Sequence, residues 1–178
     1  MTADPHDLQT PSAWVVRWSG LVPAGGRVLD IACGNGRHAR FFASRGHPVE
    51  AVDRDPALLA RLAGVPGVST RCADLEAGPW PYPGDRFAGI VVANYLHRPL
   101  FPHLLAALAA GGVLIYETFA AGNERYGRPS NPDYLLKPGE LLEVVRGRLT
   151  VTAYEELDVS EPRPAAVQRI CATNPSVS

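Results

Sequence analysis

A short apolar run, RVLDIAC (27–33), ends at two closely spaced glycines, Gly34 and Gly36, and a helical pattern follows directly over residues 36–46. The branched apolar residues predict a buried strand, and the glycines predict a sharp turn into the helix. A strand that leads through such a turn into a helix is typical of a parallel sheet covered by helices. The turn is also a candidate ligand site, because the first amides of the helix point towards it.

The same alternation continues along the chain. Helices are predicted at 56–64, 100–110 and 138–147. Strands are predicted at 48–53, 68–73, 87–94, 112–119, 149–157 and 165–173. The run at 68–73 is the least apolar, which places it near a sheet edge, and the last two runs are joined by a short loop that favours an antiparallel hairpin. The pattern therefore predicts an α/β fold with a doubly wound, mostly parallel sheet.

Length and charge limit the classes of function. The chain has 178 residues, which fits a single domain over 1–178, and its formal net charge of -1 gives no general field for nucleic acid or membranes. The polar N-terminus is unlike a secretory signal, and no apolar stretch is long enough to span a bilayer, so we expect a cytoplasmic protein. The three cysteines, Cys33, Cys72 and Cys171, are widely spaced, which favours reduced, buried thiols and predicts neither disulfides nor a metal site.

The glycine turn alone leaves two ligands open. Residues 34–39, GNGRHA, also fit the dinucleotide fingerprint G-x-G-x-x-A, with Asp53 nineteen residues beyond Gly34, so an NAD(P)-dependent oxidoreductase is an alternative. Asp30, four residues ahead of Gly34, favours a ligand with a cationic group, because a carboxylate there would serve a pyrophosphate poorly. Asp74 follows the third predicted strand, where its carboxylate could accept the amino proton of adenine.

Four segments in order, VLDIACGNGRHA (28–39), VEAVDRDP (49–56), ADLEAGP (73–79) and FAGIVVANYLH (87–97), resemble the class I S-adenosylmethionine-dependent methyltransferases. The resemblance extends over residues 12–173, and the layout is similar to that of small stand-alone bacterial members, loosely those of the tellurite-resistance type. It implies a Rossmann-like sheet of seven strands whose last strand is antiparallel, and S-adenosylmethionine as the cofactor.

The resemblance also implies a set of cofactor contacts. Gly34 and Gly36 would pass close to the methionine part, Asp53 would bind the ribose hydroxyls, Asp74 with Leu75 would hold adenine, and Asn94 would border the methyl group. The residues expected at the cofactor are Asp30, Ala32, Cys33, Gly34, Gly36, Asp53, Arg54, Asp74, Leu75, Asn94 and Tyr95.

Two segments are candidates for the acceptor side. NYLHRPL (94–100) lacks the paired prolines typical of enzymes that methylate amino groups of bases or glutamine, and His97 in it is either a base or a histidine bonded at a helix entrance. Arg98 either binds a substrate anion or caps the turn. The polar loop 120–137 is a candidate substrate lid, in which Tyr126 is a candidate catalytic residue.

The first 25 residues are predicted to form a helical cap, in which Trp14, Arg17 or Trp18 either cover the cofactor or pack normally. A small-molecule acceptor is favoured, because the chain has no basic bias, while nucleic acid and protein acceptors stay open and the sequence does not fix the oligomeric state. A non-catalytic protein that binds S-adenosylmethionine for regulation is the alternative from another functional class.

Overall fold

Seven strands form one sheet in the computed structural model, which describes residues 9–176; residues 1–8 of the predicted N-terminal cap lie outside that range. The strands are β1 (Val28–Ile31), β2 (Val49–Asp53), β3 (Val68–Cys72), β4 (Phe87–Ala93), β5 (Leu108–Phe119), β6 (Thr150–Val159) and β7 (Ala165–Thr173). Their spatial order is β3-β2-β1-β4-β5-β7-β6. Strands β1 to β5 are parallel, and β7 runs antiparallel to both β5 and β6. The predicted fold class, mostly parallel with an antiparallel C-terminal strand, is confirmed.

Helices cover both faces of this sheet. They are α1 (Ala13–Trp18), α2 (Arg37–Ser44), α3 (Pro56–Ala60), α4 (Phe101–Ala107) and α5 (Glu140–Val145). One apolar cluster joins α1, α2 and α3 to the sheet, and a second joins α4 and α5 to the opposite face. The sheet is therefore doubly wound, as the alternation of strand and helix patterns predicts.

Strand β4 shows why the sequence needs helices on both sides. Ile90 and Val92 pack into the cluster with α4 and α5, whereas Val91 points into the cluster with α1 to α3, and all three are fully buried. Successive side chains of a strand alternate between faces, so a run without polar residues requires two apolar layers. Burying one such side chain contributes about 1.5–3 kcal/mol.

The predicted helix at 100–110 is wrong at its end. Helix α4 stops at Ala107, and Leu108 is already extended and pairs with Phe87 across a bulge in β5. A Cβ on Gly112 would lie 2.8 Å from the Ala109 oxygen and 2.9 Å from the Phe87 oxygen, so only glycine lets the bulged strand pack this closely. Gly111 and Gly112 therefore both lie inside β5, which begins four residues before the predicted strand at 112–119.

One cysteine also differs from expectation. Cys33 and Cys171 are buried, but Cys72 is exposed. Its strand, β3, forms the edge of the sheet, and four of its five residues are exposed. Within residues 9–176, no helix is long and apolar enough to cross a membrane.

Candidate functional site

The site lies where the strand order of the sheet reverses. Chain order runs outward from β1 in both directions, through β2 to β3 on one side and through β4 to β5 on the other. Ligands of open parallel sheets bind beyond the carboxyl ends of the strands at this point. The first residues beyond β1 and β4, Ala32 and Asn94, have φ of 50° and 56°, the only positive values outside glycine among the described residues. Left-handed backbone is costly for an L-residue and is found preferentially at functional sites.

A cavity of about 360 Å³ opens over these strand ends, and we call it the strand-end cavity. Its volume is within the range of small-molecule sites, about 300–1,000 Å³. The residues that line it are Asp30, Ala32, Cys33, Gly34, Asn35, Arg37, His38, Asp53, Arg54, Ala73, Asp74, Leu75, Glu76, Ala93, Asn94, Tyr95, Leu96, Thr118, Phe119, Pro129 and Tyr134. Every residue expected at the cofactor except Gly36 is in this wall.

Asp30 brings a buried carboxylate to the cavity. Its side chain is 2% exposed, and Oδ2 has no hydrogen-bond partner in the described part of the chain. Burial raises the pKa of Asp30 to about 7, although the charge of Arg37 acts in the opposite direction. An unpartnered buried oxygen is costly, and a cationic amino group from a ligand would satisfy it.

The glycine turn after β1 is fixed to the end of β2. Gly34 has a φ of 56°, and its N–H donates to Oδ2 of Asp53 over 2.9 Å. The other oxygen of Asp53 accepts the N–H of Asp55. A carboxylate has about four acceptor positions, so Asp53 can still accept hydrogen bonds from ligand hydroxyls.

Gly36 does not line the strand-end cavity and packs instead against Leu62, just beyond the end of α3. It caps α2 with a φ of 78°, and a Cβ there would lie 2.3 Å from Cδ2 of Leu62. Both its left-handed backbone and its packing against Leu62 therefore require glycine, and the cofactor contact that the resemblance implies for Gly36 stays a prediction.

Asp74 and Leu75 follow β3 at the far end of the cavity. Oδ1 of Asp74 accepts the N–H groups of Glu76 and Ala77, and these two bonds lower the pKa of Asp74. The carboxylate is exposed and ionised, so its second oxygen can accept a hydrogen bond from an amino group. Leu75 is 8% exposed and gives the cavity an apolar surface beside it.

Two residues at the start of α2 join the site without having been singled out from the sequence. Arg37 donates to the carbonyl of Thr10 and interacts with the charges of Glu117 and Asp30. His38 accepts the N–H of Ser12 at Nε2, and burial lowers its pKa to about 3, so this imidazole is neutral. The signal for both is their position directly after the glycine turn, where the first helical turn must face the ligand.

The predicted lid, 120–137, forms an anchored wall of the cavity. Asn123 is 1% exposed; its amide nitrogen donates to the Pro129 carbonyl, and its oxygen accepts the N–H of Ala166 in β7. Pro129 and Tyr134 reach the cavity from this loop.

Arg98 holds the second half of that loop. Its guanidinium pairs with both carboxylate oxygens of Glu140, at 2.7 and 2.9 Å, and donates to the carbonyls of Asp133 and Leu135. These contacts bracket Tyr134, so the arginine after β4 positions the loop. Of the two sequence interpretations, a structural role at the turn agrees with these bonds.

The two candidate catalytic residues, His97 and Tyr126, lie outside the wall of the strand-end cavity. His97 is half-buried at the start of the turn before α4, and Tyr126 is 42% exposed with the Arg125 guanidinium over its ring. Neither side chain lines the strand-end cavity.

The N-terminal tryptophans belong to the core. Trp14 is 2% exposed, donates from Nε1 to the Ile170 carbonyl and meets Trp18 edge to face. Neither ring nor Arg17 lines the strand-end cavity, so normal packing is the interpretation that fits. The segment just before α1 is joined to the sheet by Ser12, whose hydroxyl donates to Glu117 over 2.6 Å.

Comparison with known sequences finds similarity over part of this chain. Residues 28–112 match the family described as a methyltransferase domain. The trans-aconitate 2-methyltransferase of Delftia acidovorans is 28% identical over 156 residues, covering 79% of this chain and 58% of that protein.

Solved structures share the fold. TehB from Haemophilus influenzae superposes with a TM-score of 0.77 at 17% identity, covering 92% of this chain and 62% of TehB. An S-adenosylmethionine dependent methyltransferase from Mesorhizobium loti gives a TM-score of 0.70 at 19% identity, covering 92% of this chain and 99% of that one. The chain thus spans less than two thirds of the length of the first two relatives and nearly all of the third.

Proposed function

We propose that this chain, of which residues 28–112 match a methyltransferase domain and whose fold is that of a solved S-adenosylmethionine dependent methyltransferase, transfers a methyl group from S-adenosylmethionine to a small-molecule acceptor. The observation that carries this proposal is the buried, unpartnered oxygen of Asp30 at the cavity wall. A carboxylate placed beneath the glycine turn suits the amino group of a methionine moiety and would repel a pyrophosphate.

The other charged groups of the cavity match the remaining parts of the same ligand. We assign the methionine carboxylate to Arg37, which makes no ion pair in the described part of the chain and is partly buried at the wall. Asp53 would bind the ribose hydroxyls with its remaining acceptor positions, and Asp74 with Leu75 would hold adenine by a hydrogen bond and an apolar contact.

When bound, the cofactor supplies an activated methyl group, which passes to the acceptor by in-line displacement and leaves S-adenosylhomocysteine. The contribution of the chain is then orientation and exclusion of water. Asn94 and Tyr95 line the cavity at the end of β4, and Pro129 and Tyr134 close it from the loop that Arg98 holds. His97 and Tyr126 have no step in this scheme.

A small molecule is the acceptor class that the comparisons support. The relative from Delftia acidovorans is named for methylation of trans-aconitate, and the match to it covers 79% of this chain. Because that relative is longer and only 28% identical, trans-aconitate itself is one member of a panel to be tried.

The test uses methyl-labelled S-adenosylmethionine with a panel of small organic acids, amines and phenols, together with bulk RNA and a denatured protein extract. We expect label in one small-molecule product, with one S-adenosylhomocysteine formed for each methyl group transferred. Asp30→Ala should abolish the transfer, and Asp85→Ala, which removes an exposed carboxylate paired with Arg27, should leave it unchanged. No S-adenosylhomocysteine above the acceptor-free control, or label in RNA or protein alone, would contradict the proposal.

A further inference from the structure

A second cavity, of about 350 Å³, lies beside the first, against the turn between β6 and β7, and we call it the hairpin cavity. Arg37, Asn94 and Phe119 line both cavities, so the two adjoin at the end of β4 and β5. Under the proposed function, an acceptor must meet the methyl group at this junction. The hairpin cavity is therefore the space next to the donor site from which an acceptor can approach.

The wall of the hairpin cavity is mostly apolar. Phe119 and Val167 belong to one small buried cluster that stands apart from the two main cores, the partly buried Val159 packs against it, and all three face this cavity. An apolar wall of this kind favours a ligand with a hydrocarbon or aromatic body.

Arg169 and Arg163, which both line the hairpin cavity, differ in whether a carboxylate pairs with the guanidinium. Arg169 is paired with both Glu117 and Glu155, so two carboxylates hold its charge. Arg163 makes no ion pair with any described residue; its guanidinium lies 5.2 Å from the centre of the Phe119 ring and donates to the carbonyl of Arg128. Glu161 on the same turn also lines this cavity, but it is exposed and makes no ion pair among the described residues.

Arg163 places a positive charge at one end of the mostly apolar hairpin cavity. The ring beneath it and the carbonyl beside it fix the guanidinium, and its remaining N–H groups are available to a ligand. Arg37 also lines this cavity without an ion pair in the described part of the chain, but it is assigned to the methionine carboxylate, so Arg163 is the guanidinium available to an acceptor. One guanidinium matches a single negative charge, as on a carboxylate, better than the double charge of a phosphate monoester.

We propose that the hairpin cavity is the acceptor site and that it takes a small carboxylic acid with an apolar body, whose carboxylate pairs with Arg163. This inference rests on the proposed function, because only a bound methyl donor makes the junction of the two cavities the point of methyl transfer. It adds a substrate class and a specificity-determining residue on the β6–β7 turn, a segment in which the sequence pattern indicated only a hairpin loop.

The test measures binding, so it does not depend on finding the true acceptor. The chain saturated with S-adenosylhomocysteine is titrated with trans-cinnamate and with trans-cinnamamide, in which a neutral amide of nearly the same shape replaces the carboxylate. We expect the wild type to bind the acid at least about tenfold more tightly than the amide, the effect of one charge-assisted pair. Arg163→Ala should bind the two equally, and Arg163→Lys should keep part of the preference.

The preference for acid over amide separates recognition from a general loosening of the loop, because a loosened cavity would weaken both probes alike. Arg86→Ala removes an exposed arginine at the other end of β4 and should keep the full preference. Equal binding of acid and amide by the wild type, no binding of either, or a preserved preference in Arg163→Ala would overturn the inference. Binding of S-adenosylhomocysteine, measured first, reports on the donor site alone and so distinguishes failure of the proposed function.

Discussion

The backbone N–H of Gly34 donates to Oδ2 of Asp53 over 2.9 Å, so the turn after β1 is held by the last residue of β2. One carboxylate thus shapes the glycine turn and faces the cavity that the turn borders. Asp53 would then act twice in binding, once by placing the turn and once by accepting ligand hydroxyls.

Asp53→Ala is therefore expected to weaken S-adenosylhomocysteine binding by about 10- to 100-fold, the loss of hydrogen bonds to a charged group. Isothermal titration calorimetry measures this directly. Asp53→Asn keeps one acceptor oxygen for Gly34 and should fall between Asp53→Ala and the wild type. An unchanged affinity in Asp53→Ala would show that this carboxylate does not face the ligand.

The buried carboxylate of Asp30 predicts a pH-dependent affinity. Its pKa is about 7 in the folded chain, and pairing with a cationic amino group requires the ionised form. S-adenosylhomocysteine should therefore bind more weakly as the pH falls from 7.5 to 5.5, and binding near pH 7 should release protons. Asp30→Asn should bind weakly at every pH in this range and release none. Calorimetry in buffers of different ionisation enthalpy measures the proton count, and a wild type that releases no protons would contradict the role of Asp30.

The buried carboxylate of Asp30 should also make the stability of the ligand-free chain depend on pH. The folded pKa of Asp30, about 7, lies above the ordinary value of 3.8, so the unfolded chain loses this proton at lower pH. The contribution of Asp30 to stability is full below pH 3.8 and is lost as the pH rises through 7. Without ligand, Asp30→Asn should therefore unfold at a temperature equal to or above that of the wild type at pH 8. A clear destabilisation by Asp30→Asn at that pH, measured by calorimetry, would count against the buried, unpartnered state.

Replacing Gly36 should lower the free energy of unfolding through a packing effect that can be separated from backbone strain. Gly36→Ala places a Cβ against Leu62 and holds an L-residue at a φ of 78°, whereas Gly46→Ala has a similar φ of 86° and open space around it. Gly46→Ala should cost about 1–2 kcal/mol of unfolding free energy from the backbone alone. Gly36→Ala should cost about 1–3 kcal/mol more because of overpacking. Chemical denaturation measures both values, and equal losses would show that Leu62 yields without cost.

The hydrogen bonds of Arg98 should keep residues 133–136, in the loop beside the strand-end cavity, ordered. Arg98→Ala removes the charged partner of Glu140, which keeps only the N–H of Lys137, and the side-chain donor of two loop carbonyls, so the free energy of unfolding should fall by about 1–3 kcal/mol. Backbone amides of residues 133–136 should exchange faster with solvent, and S-adenosylhomocysteine should bind more weakly. Lysine cannot make the same forked contacts, so Arg98→Lys should be intermediate.

The control for this loop is Arg146→Ala, which breaks an exposed pair with Glu143 on α5. Exposed pairs contribute about 0–1 kcal/mol, so neither exchange in the loop nor ligand affinity should change. Unchanged exchange at 133–136 in Arg98→Ala would show that other contacts hold the loop.

The fold could be predicted from the sequence because its signals are local. Uniformly apolar runs such as Phe87–Ala93 require helices on both faces, and Asp55 ahead of Pro56 marks the start of α3, where its side chain accepts the N–H of Ala57. The end of α4 was predicted too late, because the pairing of Leu108 with Phe87 depends on a strand distant in sequence.

The candidate site could be predicted only in part, for the same reason. Asp30, Asp53 and Asp74 each follow or end a strand, and parallel strands bring their ends together. Arg163 reaches its place through the turn of a distant hairpin, and Arg98 acts through a loop more than 30 residues further along the chain. Contacts of that kind leave no periodic pattern in the sequence.

The most direct test of the account is a parallel titration of the wild-type chain with S-adenosylhomocysteine and with NADH at pH 7.5. The account predicts saturable binding of S-adenosylhomocysteine, no binding of NADH, and loss of the S-adenosylhomocysteine signal in Asp30→Asn. Tight binding of NADH without binding of S-adenosylhomocysteine would contradict it.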